Sequence, residues 1–386
     1  MAKRAAVVGT GQTECRSNRR DVNGQELINE AVLRALEDAD LTRDDLDAIV
    51  IGNMDHFEGI NYVDAWSVDG SGGVMKPIMK VTTGGTTGTT VAMCAYYHVA
   101  SGLFDKVLAI GWEKNSESDT TGAIITAFDP VFDRPTFGGA VGGLAVVAAR
   151  YLHLSGATQE DAARVAVRDR KHALNNPYAH LQLDLTIEDV MKSPMISYPV
   201  KYLDMCPRTD GAAAVIFASE DSAPRICRRP VWVRGVCNRH NYALSYDPRW
   251  DNLETLDEAS RVLYKKIGVK EPLKEFDLAE LYFPSSFAGL QWVEDLGFCQ
   301  RFEGAELIQS GATDMGGECP INPSGGVLSS NPIGATGLQR VAEAALQIMG
   351  RAGKRQVDGA KKALVTGFGG CFWSDILALG ADKPDY

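Results

Sequence analysis

Apolar and polar positions along the chain alternate between two periods. Residues Ala5–Gly9 form a continuous apolar run, which predicts a buried strand. From about Gln25 to Ala39 the pattern changes. Leu27, Val32, Leu33 and Leu36 recur at helical spacing, so a helix is expected with those four on its inner face. A charged turn follows, then the apolar run Asp47–Ile51, which predicts a second strand. A glycine-rich turn, Gly84-Gly85-Thr86-Thr87-Gly88, opens onto an apolar helix ending at Gly102, and Lys106–Gly111 is the next strand.

The same series returns in the C-terminal half. Glu258-Ala259 leads a helix containing Val262, Leu263 and Ile267. A charged turn and the strand Asp277–Leu281 follow. Glu30, Val32 and Asp47 map onto Glu258, Val262 and Asp277 at offsets of 228 to 230. Gly334-Ala335-Thr336-Gly337 then opens a helix ending at Gly350, with the strand Ala363–Gly367 after it. Thr87-Gly88 and Thr336-Gly337 are 249 positions apart. Repeated strand–helix units in one order predict two similar α/β halves, residues 1–240 and 241–386, with helices packed on sheets. Within the first half lies an insertion, about 113–201, expected as loops and short helices over the site. Within it a helix is predicted over Gln159–Leu174, with a capping-box start at Thr158. Cys206-Pro207-Arg208-Thr209-Asp210-Gly211 feeds the strand Ala212–Ala218.

Composition narrows the function. A net charge of -11 argues against nucleic acid or an anionic membrane as partner. No apolar stretch approaches the roughly 20 residues of a membrane span, and the N-terminal run is too short for a signal peptide. The eight Cys contain no C-x-x-C pair, so a zinc ribbon within this chain is not expected. Free thiols fit a reducing cytoplasm.

The Gly84-Gly85 turn looks like a nucleophile site without a nucleophile. A helix N-terminus stabilises negative charge, yet the turn holds no Cys, Ser or Lys. Gly85 reads either as a conformational glycine with positive φ or as a vacated reactive position. Tyr282 closes the strand Asp277–Leu281 and is either a strand-end aromatic or a site residue. A phenol with an ordinary pKa near 10 relays a proton more readily than it holds the charge. Asn331 either caps the turn before Pro332 or donates to an oxyanion. The backbone N–H groups of Gly369 and Gly370 are further oxyanion candidates. Cys371 either borders the pocket or packs as a buried thiol. His56 and His172 read as structural.

Four segments carry a family resemblance. They are Leu108–Ser116 (Leu-Ala-Ile-Gly-Trp-Glu-Lys-Asn-Ser), Tyr202–Ala214, Asn322-Pro323-Ser324-Gly325-Gly326 and Asn331-Pro332-Ile333-Gly334-Ala335-Thr336-Gly337. In this order they resemble the thiolase superfamily, specifically the sterol-carrier-protein-type thiolases, over essentially the whole chain. The resemblance implies a five-layered α-β-α-β-α fold of two pseudo-repeated halves, normally a homodimer, acting on acyl-CoA thioesters. Coenzyme A enters only as part of the substrate, and no metal or covalently bound cofactor is implied. Ser324, Gly325 and Cys371 fall at substrate-binding positions.

Thiolases carry the acyl group on a Cys and activate it with a His. Here the Cys position falls on Gly85 and the His of the Gly-His-Pro motif on Asn331. The His of a third motif falls on Tyr282, and Thr366 takes a second Cys slot, with Cys371 shifted along. The thiolase-derived aldolases that cleave steroid side-chain acyl-CoAs share several of these departures, including a Tyr where Tyr282 falls. Arg168–Pro177 and Leu296–Cys299 also resemble that subgroup. Those aldolases work with a separate zinc-ribbon/OB-fold chain, so such a partner is implied here as another polypeptide. Where they carry a second Tyr, this chain has Asn331. The expected function is retro-aldol cleavage of a β-hydroxyacyl-CoA. The alternatives are acyltransfer on a β-ketoacyl-CoA and a non-catalytic scaffold subunit.

Overall fold

A computed structural model describes residues 3–135, 138–241, 252–370 and 373–385. Its strands are β1 (Ala5–Gln12), β2 (Ala48–Gly52), β3 (Ile78–Lys80), β4 (Lys106–Lys114), β5 (Met195–Ser197) and β6 (Val200–Lys201). They continue with β7 (Asp210–Ser219), β8 (Val231–His240), β9 (Leu278–Glu280), β10 (Lys362–Phe368) and β11 (Trp373–Gly380). Among the described residues nine of these join in the order β3-β2-β4-β7-β1-β8-β11-β10-β9, and β5 with β6 forms a separate hairpin.

The repeat seen in the sequence is a repeat in topology. One half runs β2-β4-β7-β1 and the other β9-β10-β11-β8. In each the first pair is parallel and the next two are antiparallel. The halves meet where β1 pairs with β8, at Ala6 with Trp232 and Val7 with Val231. Even the turns match. The Asp47 carboxylate accepts from the N–H groups of Asp105 and Lys106 at 2.9 and 2.7 Å. The Asp277 carboxylate accepts from Lys361 and Lys362 at 2.8 and 2.7 Å.

The period-2 alternation of the strands sorts side chains into layers. Ala6, Val8, Leu108 and Ile110 pack against Leu27, Ile28 and Val32 of the Gly24–Ala39 helix. Their neighbours Val7, Val107, Ala109 and Val215 face the opposite way. They meet Val91 and Ala95 of the Thr87–Ala100 helix and Leu338 and Val341 of the Ile333–Met349 helix. The far side of those two helices is covered by Val365, Leu377 and Leu379. Beyond these strands, Leu364, Ile376 and Ala378 pack with Leu256, Ala259 and Leu263 of the Glu254–Ile267 helix. The sequence of layers is helix, sheet, helix, sheet, helix, as expected. Each fully buried Val or Leu contributes roughly 1.5–3 kcal/mol.

The two central helices touch at the matched glycines. A Cβ on Gly88 would lie 2.5 Å from the Leu338 nitrogen, and one on Gly337 would lie 2.5 Å from the Thr89 nitrogen. Only hydrogen fits at this crossing, so both helix N-termini are drawn towards the same side of the molecule.

Two expectations need correction. Leu33 is 48% exposed and faces solvent, although Leu27, Val32 and Leu36 are buried. The insertion also contains a 17-residue helix, Gly139–Ser155, where only loops and short helices were expected. Gly139, Gly142 and Gly143 at its start weaken the helix signal by local propensity, and packing overrides that. The Gln159–Ala173 helix begins with the expected capping box, Thr158 N–H donating to the Asp161 carboxylate at 2.9 Å. After it, the insertion lies along the 322–331 loop. The Asn176 side chain donates to the Ser324 carbonyl at 2.9 Å and Leu181 N–H to the Ser329 carbonyl at 3.0 Å. No described helix is long and apolar enough to cross a membrane.

Candidate active site

The Gly84-Gly85 turn is built by hydroxyls. Thr86 donates to the Thr83 carbonyl and Thr87 to the Gly84 carbonyl, each at 2.6 Å. The Trp373 indole N–H reaches the Thr83 carbonyl at 2.9 Å. The left-handed residue is Gly84, with φ of 60°; Gly85 has no positive φ. Gly85 is instead required by space. A Cβ there would lie 2.2 Å from the Phe368 carbonyl oxygen and 3.5 Å from the Tyr282 hydroxyl. The main chain leaving β10 therefore occupies the volume that a side chain at Gly85 would need.

Tyr282 follows β9 and is buried, and its ring packs against Phe368 at 6.1 Å between centroids. Its backbone N–H donates to the Thr366 hydroxyl at 2.9 Å, so the residue in the second Cys slot holds the Tyr282 backbone. The Tyr282 hydroxyl donates to Asn331 Oδ1 at 3.1 Å. Burial first, and then the neighbouring Cys206, raise the Tyr282 phenol well above its ordinary range, so the neutral phenol is the resident form.

Asn331 stands two residues before the Ile333–Met349 helix, held by its own backbone. Its N–H donates to the Thr209 hydroxyl at 3.2 Å and its carbonyl accepts from the Asn115 amide at 3.1 Å. Oδ1 accepts a second bond from the Thr336 hydroxyl at 2.8 Å, and Nδ2 donates to Cys206 Sγ at 3.2 Å. Cys206 N–H in turn donates to the Pro284 carbonyl, in the loop carrying Tyr282, at 3.1 Å. Cys206, Thr336 and Thr366 were not singled out as site residues in the sequence. The signal was present only as membership of the quoted motifs. Burial pushes the Cys206 thiol up to about 11, so it stays neutral.

The remaining candidates divide. The Ser324 hydroxyl and N–H both go to the Glu280 carboxylate, at 2.8 and 3.0 Å, and Arg340 pairs with the same carboxylate at 2.6 Å. Burial pushes Glu280 up to about 7, opposed by Arg340. Gly325, with φ of 91°, packs where a Cβ would lie 2.4 Å from the Ala173 Cβ. The Gly369 N–H is taken by the Trp373 carbonyl at 3.1 Å, and Gly370 holds a left-handed φ of 83°. Cys371 lies outside the described residues. The Asn322 side chain ties the 322–326 loop to the rest. It accepts from Leu281 N–H at 2.7 Å and donates to Asp169 at 2.9 Å, while His172 Nδ1 meets the Asn322 carbonyl at 3.0 Å. The Arg168–Pro177 segment thus buttresses the loop next to Tyr282. Among the described residues His56 meets the Thr126 hydroxyl, at 3.3 Å.

Below Asn331, Glu113 is fully buried and caps the following helix. It accepts from Gly334 N–H at 2.8 Å and from Met54 N–H at 3.1 Å. Burial, and then Glu58 beside it, hold its carboxyl well above the ordinary range.

Turn, phenol, amide and thiol make an uncharged hydrogen-bonding cluster at the ends of two central helices. It can pass a proton, and it holds no side chain at Gly85. Comparison with known proteins identifies the family of the chain that carries this cluster. The family described as "Thiolase, N-terminal domain" matches residues 5–187, and "Thiolase C-terminal domain-like" matches residues 238–379. An acetyl-CoA acetyltransferase of Methanothermobacter thermautotrophicus is 35% identical, over 95% of this chain and 96% of its own. The 17-hydroxy-3-oxo-4-pregnene-20-carboxyl-CoA lyase of Mycobacterium tuberculosis is 32% identical, over 95% and 96%. A solved "Ltp2-ChsH2(DUF35) aldolase" superposes with a TM-score of 0.86 at 28% identity, covering 98% of both chains. Matched across both halves at these identities, the chain belongs to the thiolase superfamily and lies close to its aldolases.

Proposed function

We propose that this acyl-CoA enzyme cleaves a C–C bond by retro-aldol chemistry, splitting a β-hydroxyacyl-CoA into a ketone or aldehyde and a shortened acyl-CoA. The observation that carries the reading is the Phe368 carbonyl 2.2 Å from where a Gly85 side chain would begin, with the Tyr282 hydroxyl 3.5 Å from the same point. A covalent acyl-enzyme has no anchor at that position, and a retro-aldol reaction needs none.

In the proposed step the β-hydroxyl proton passes to the Tyr282 oxygen. The O–H electron pair becomes the new C=O and the Cα–Cβ pair moves onto Cα as the thioester enolate, while the phenol's own proton turns from Asn331 Oδ1 and goes to Cα in the same step. The phenol is neutral before and after, which suits a group whose burial opposes ionisation. The enolate oxygen needs a donor. Gly369 N–H is already bonded, so the second amide hydrogen of Asn331 and the Gly370 N–H are the candidates. A single oxyanion donor supplies about 3–4 kcal/mol in known systems. A steroid side chain is one candidate acyl group, supported by the likeness to the pregnene-carboxyl-CoA lyase. A separate partner subunit is supported by the two-component name of the solved aldolase.

Tyr282→Phe is expected to lower turnover on β-hydroxyacyl-CoA more than about tenfold with the fold intact, since it removes the proton relay. Unchanged turnover would take Tyr282 out of the mechanism. Acyltransfer is the second reading, favoured by the 35% identity to an acetyl-CoA acetyltransferase and by a thiol in the cluster. Intact-mass measurement of protein incubated with acyl-CoA separates the two, because only acyltransfer leaves an acyl adduct.

A further inference from the structure

We infer that Cys206 is a positioning residue. By accepting from Asn331 Nδ2, it biases which way the Asn331 amide faces, and so favours the arrangement in which the Tyr282 lone pairs point towards the space beside Gly85. The inference deepens the retro-aldol reading and rests on the same cluster. An amide has one accepting and one donating end, and a rotation by 180° exchanges them. Oδ1 meets two hydroxyls, Thr336 at 2.8 Å and Tyr282 at 3.1 Å, while among the described residues Nδ2 meets Cys206 Sγ alone, at 3.2 Å.

In this orientation the Tyr282 proton is directed at Asn331. Among the described residues the phenol oxygen, with Thr336 beside it, then keeps a lone pair that can accept from a substrate hydroxyl. In the rotated amide, Nδ2 would donate to Tyr282, occupying a lone pair and turning the phenol proton outwards. A neutral thiol is a weak acceptor and a weak donor, so its bias is modest, but it is the partner on that side of the amide. Its position is firm. Cys206 N–H is bonded to the Pro284 carbonyl at 3.1 Å, and Met205 bridges Ser285. The buried Arg170 side chain also donates to the Met205 carbonyl at 3.1 Å.

Binding of two uncleavable thioethers of coenzyme A, S-(3-hydroxybutyl)-CoA and S-butyl-CoA, tests this without turnover. The hydroxyl compound should bind the parent protein up to about tenfold more tightly, the worth of one hydrogen bond. Cys206→Ser keeps an acceptor and should keep the preference. Cys206→Val, close in size and without an acceptor, should reduce it to within about twofold, and on β-hydroxyacyl-CoA should raise KM by a matching factor as well as lower kcat, since the lost hydrogen bond serves both the bound substrate and the proton transfer. A preference retained in Cys206→Val, or absent from the parent, overturns the inference. A preference that depends on Cys206 in a protein that cleaves no β-hydroxyacyl-CoA upholds the inference and sinks the retro-aldol reading.

Discussion

Placing one methyl group on Gly85 is the sharpest test of the vacated position. Its carbon would sit 2.2 Å from the Phe368 oxygen, more than an ångström inside ordinary contact. That oxygen belongs to the main chain of β10, and Phe368 is paired in register with Ser374 of β11. The clash therefore cannot be relieved by rotating a side chain. Overpacking of this kind costs about 1–3 kcal/mol or more. Against it, Gly85 lacks a positive φ, so Ala gains about 0.4–1 kcal/mol through the unfolded chain. The net expectation for Gly85→Ala is a loss of about 1–2 kcal/mol, a visible fraction of a typical stability of about 5–15 kcal/mol. Urea unfolding measures it, with Gly142→Ala as control. Gly142 lies within the Gly139–Ser155 helix, and nothing is within 4 Å of its Cβ position. The control should gain about 0.5–1 kcal/mol. Gly85→Cys should suffer the same clash and form no acyl-enzyme with acyl-CoA by intact mass. A Gly85→Ala protein as stable as the parent, or a Gly85→Cys protein that acylates stoichiometrically, would refute the reasoning.

Two more substitutions probe the scaffold. Asp47→Ala and Asp277→Ala each remove an acceptor from two backbone N–H groups at equivalent turns, so each should cost about 1–2 kcal/mol. The two losses should match and add in the double variant; a cost at only one site would break the functional equivalence of the repeat. Glu113→Gln tests the buried carboxyl. Because the folded pKa lies above the ordinary 4.5, the folded state keeps a proton that the unfolded chain releases, and stability should fall as pH rises above about 4.5. Glu113→Gln should flatten that slope, measured by urea midpoints at about pH 5 and about pH 8. An unchanged slope would assign it to other groups.

Much of the fold was legible because it is written in period and repetition. The matched aspartates, the paired glycines and the alternating strands each follow from local rules acting twice along one chain. Leu33 and the Gly139–Ser155 helix escaped because their outcome depends on what packs against them. Leu33 has helical spacing but lies just past the edge of the buried stripe. The long helix is Gly-rich and is held by neighbours distant in sequence.

At the site the division runs through single residues. The absence of a nucleophile at Gly85 and the presence of Tyr282 and Asn331 near strand and helix ends are properties of the sequence, because position in the repeat and resemblance to the family motifs single them out. That Gly85 has no room for a replacement is a property of the folded chain. Phe368 is 283 positions away, and only the packing of β10 against the Thr87–Ala100 helix brings its carbonyl there. The direction of the Asn331 amide is likewise a tertiary outcome. It depends on Cys206, Thr336 and Tyr282, three residues from three segments, and a hydrogen bond forms only where separate elements have already been brought to within about 3 Å.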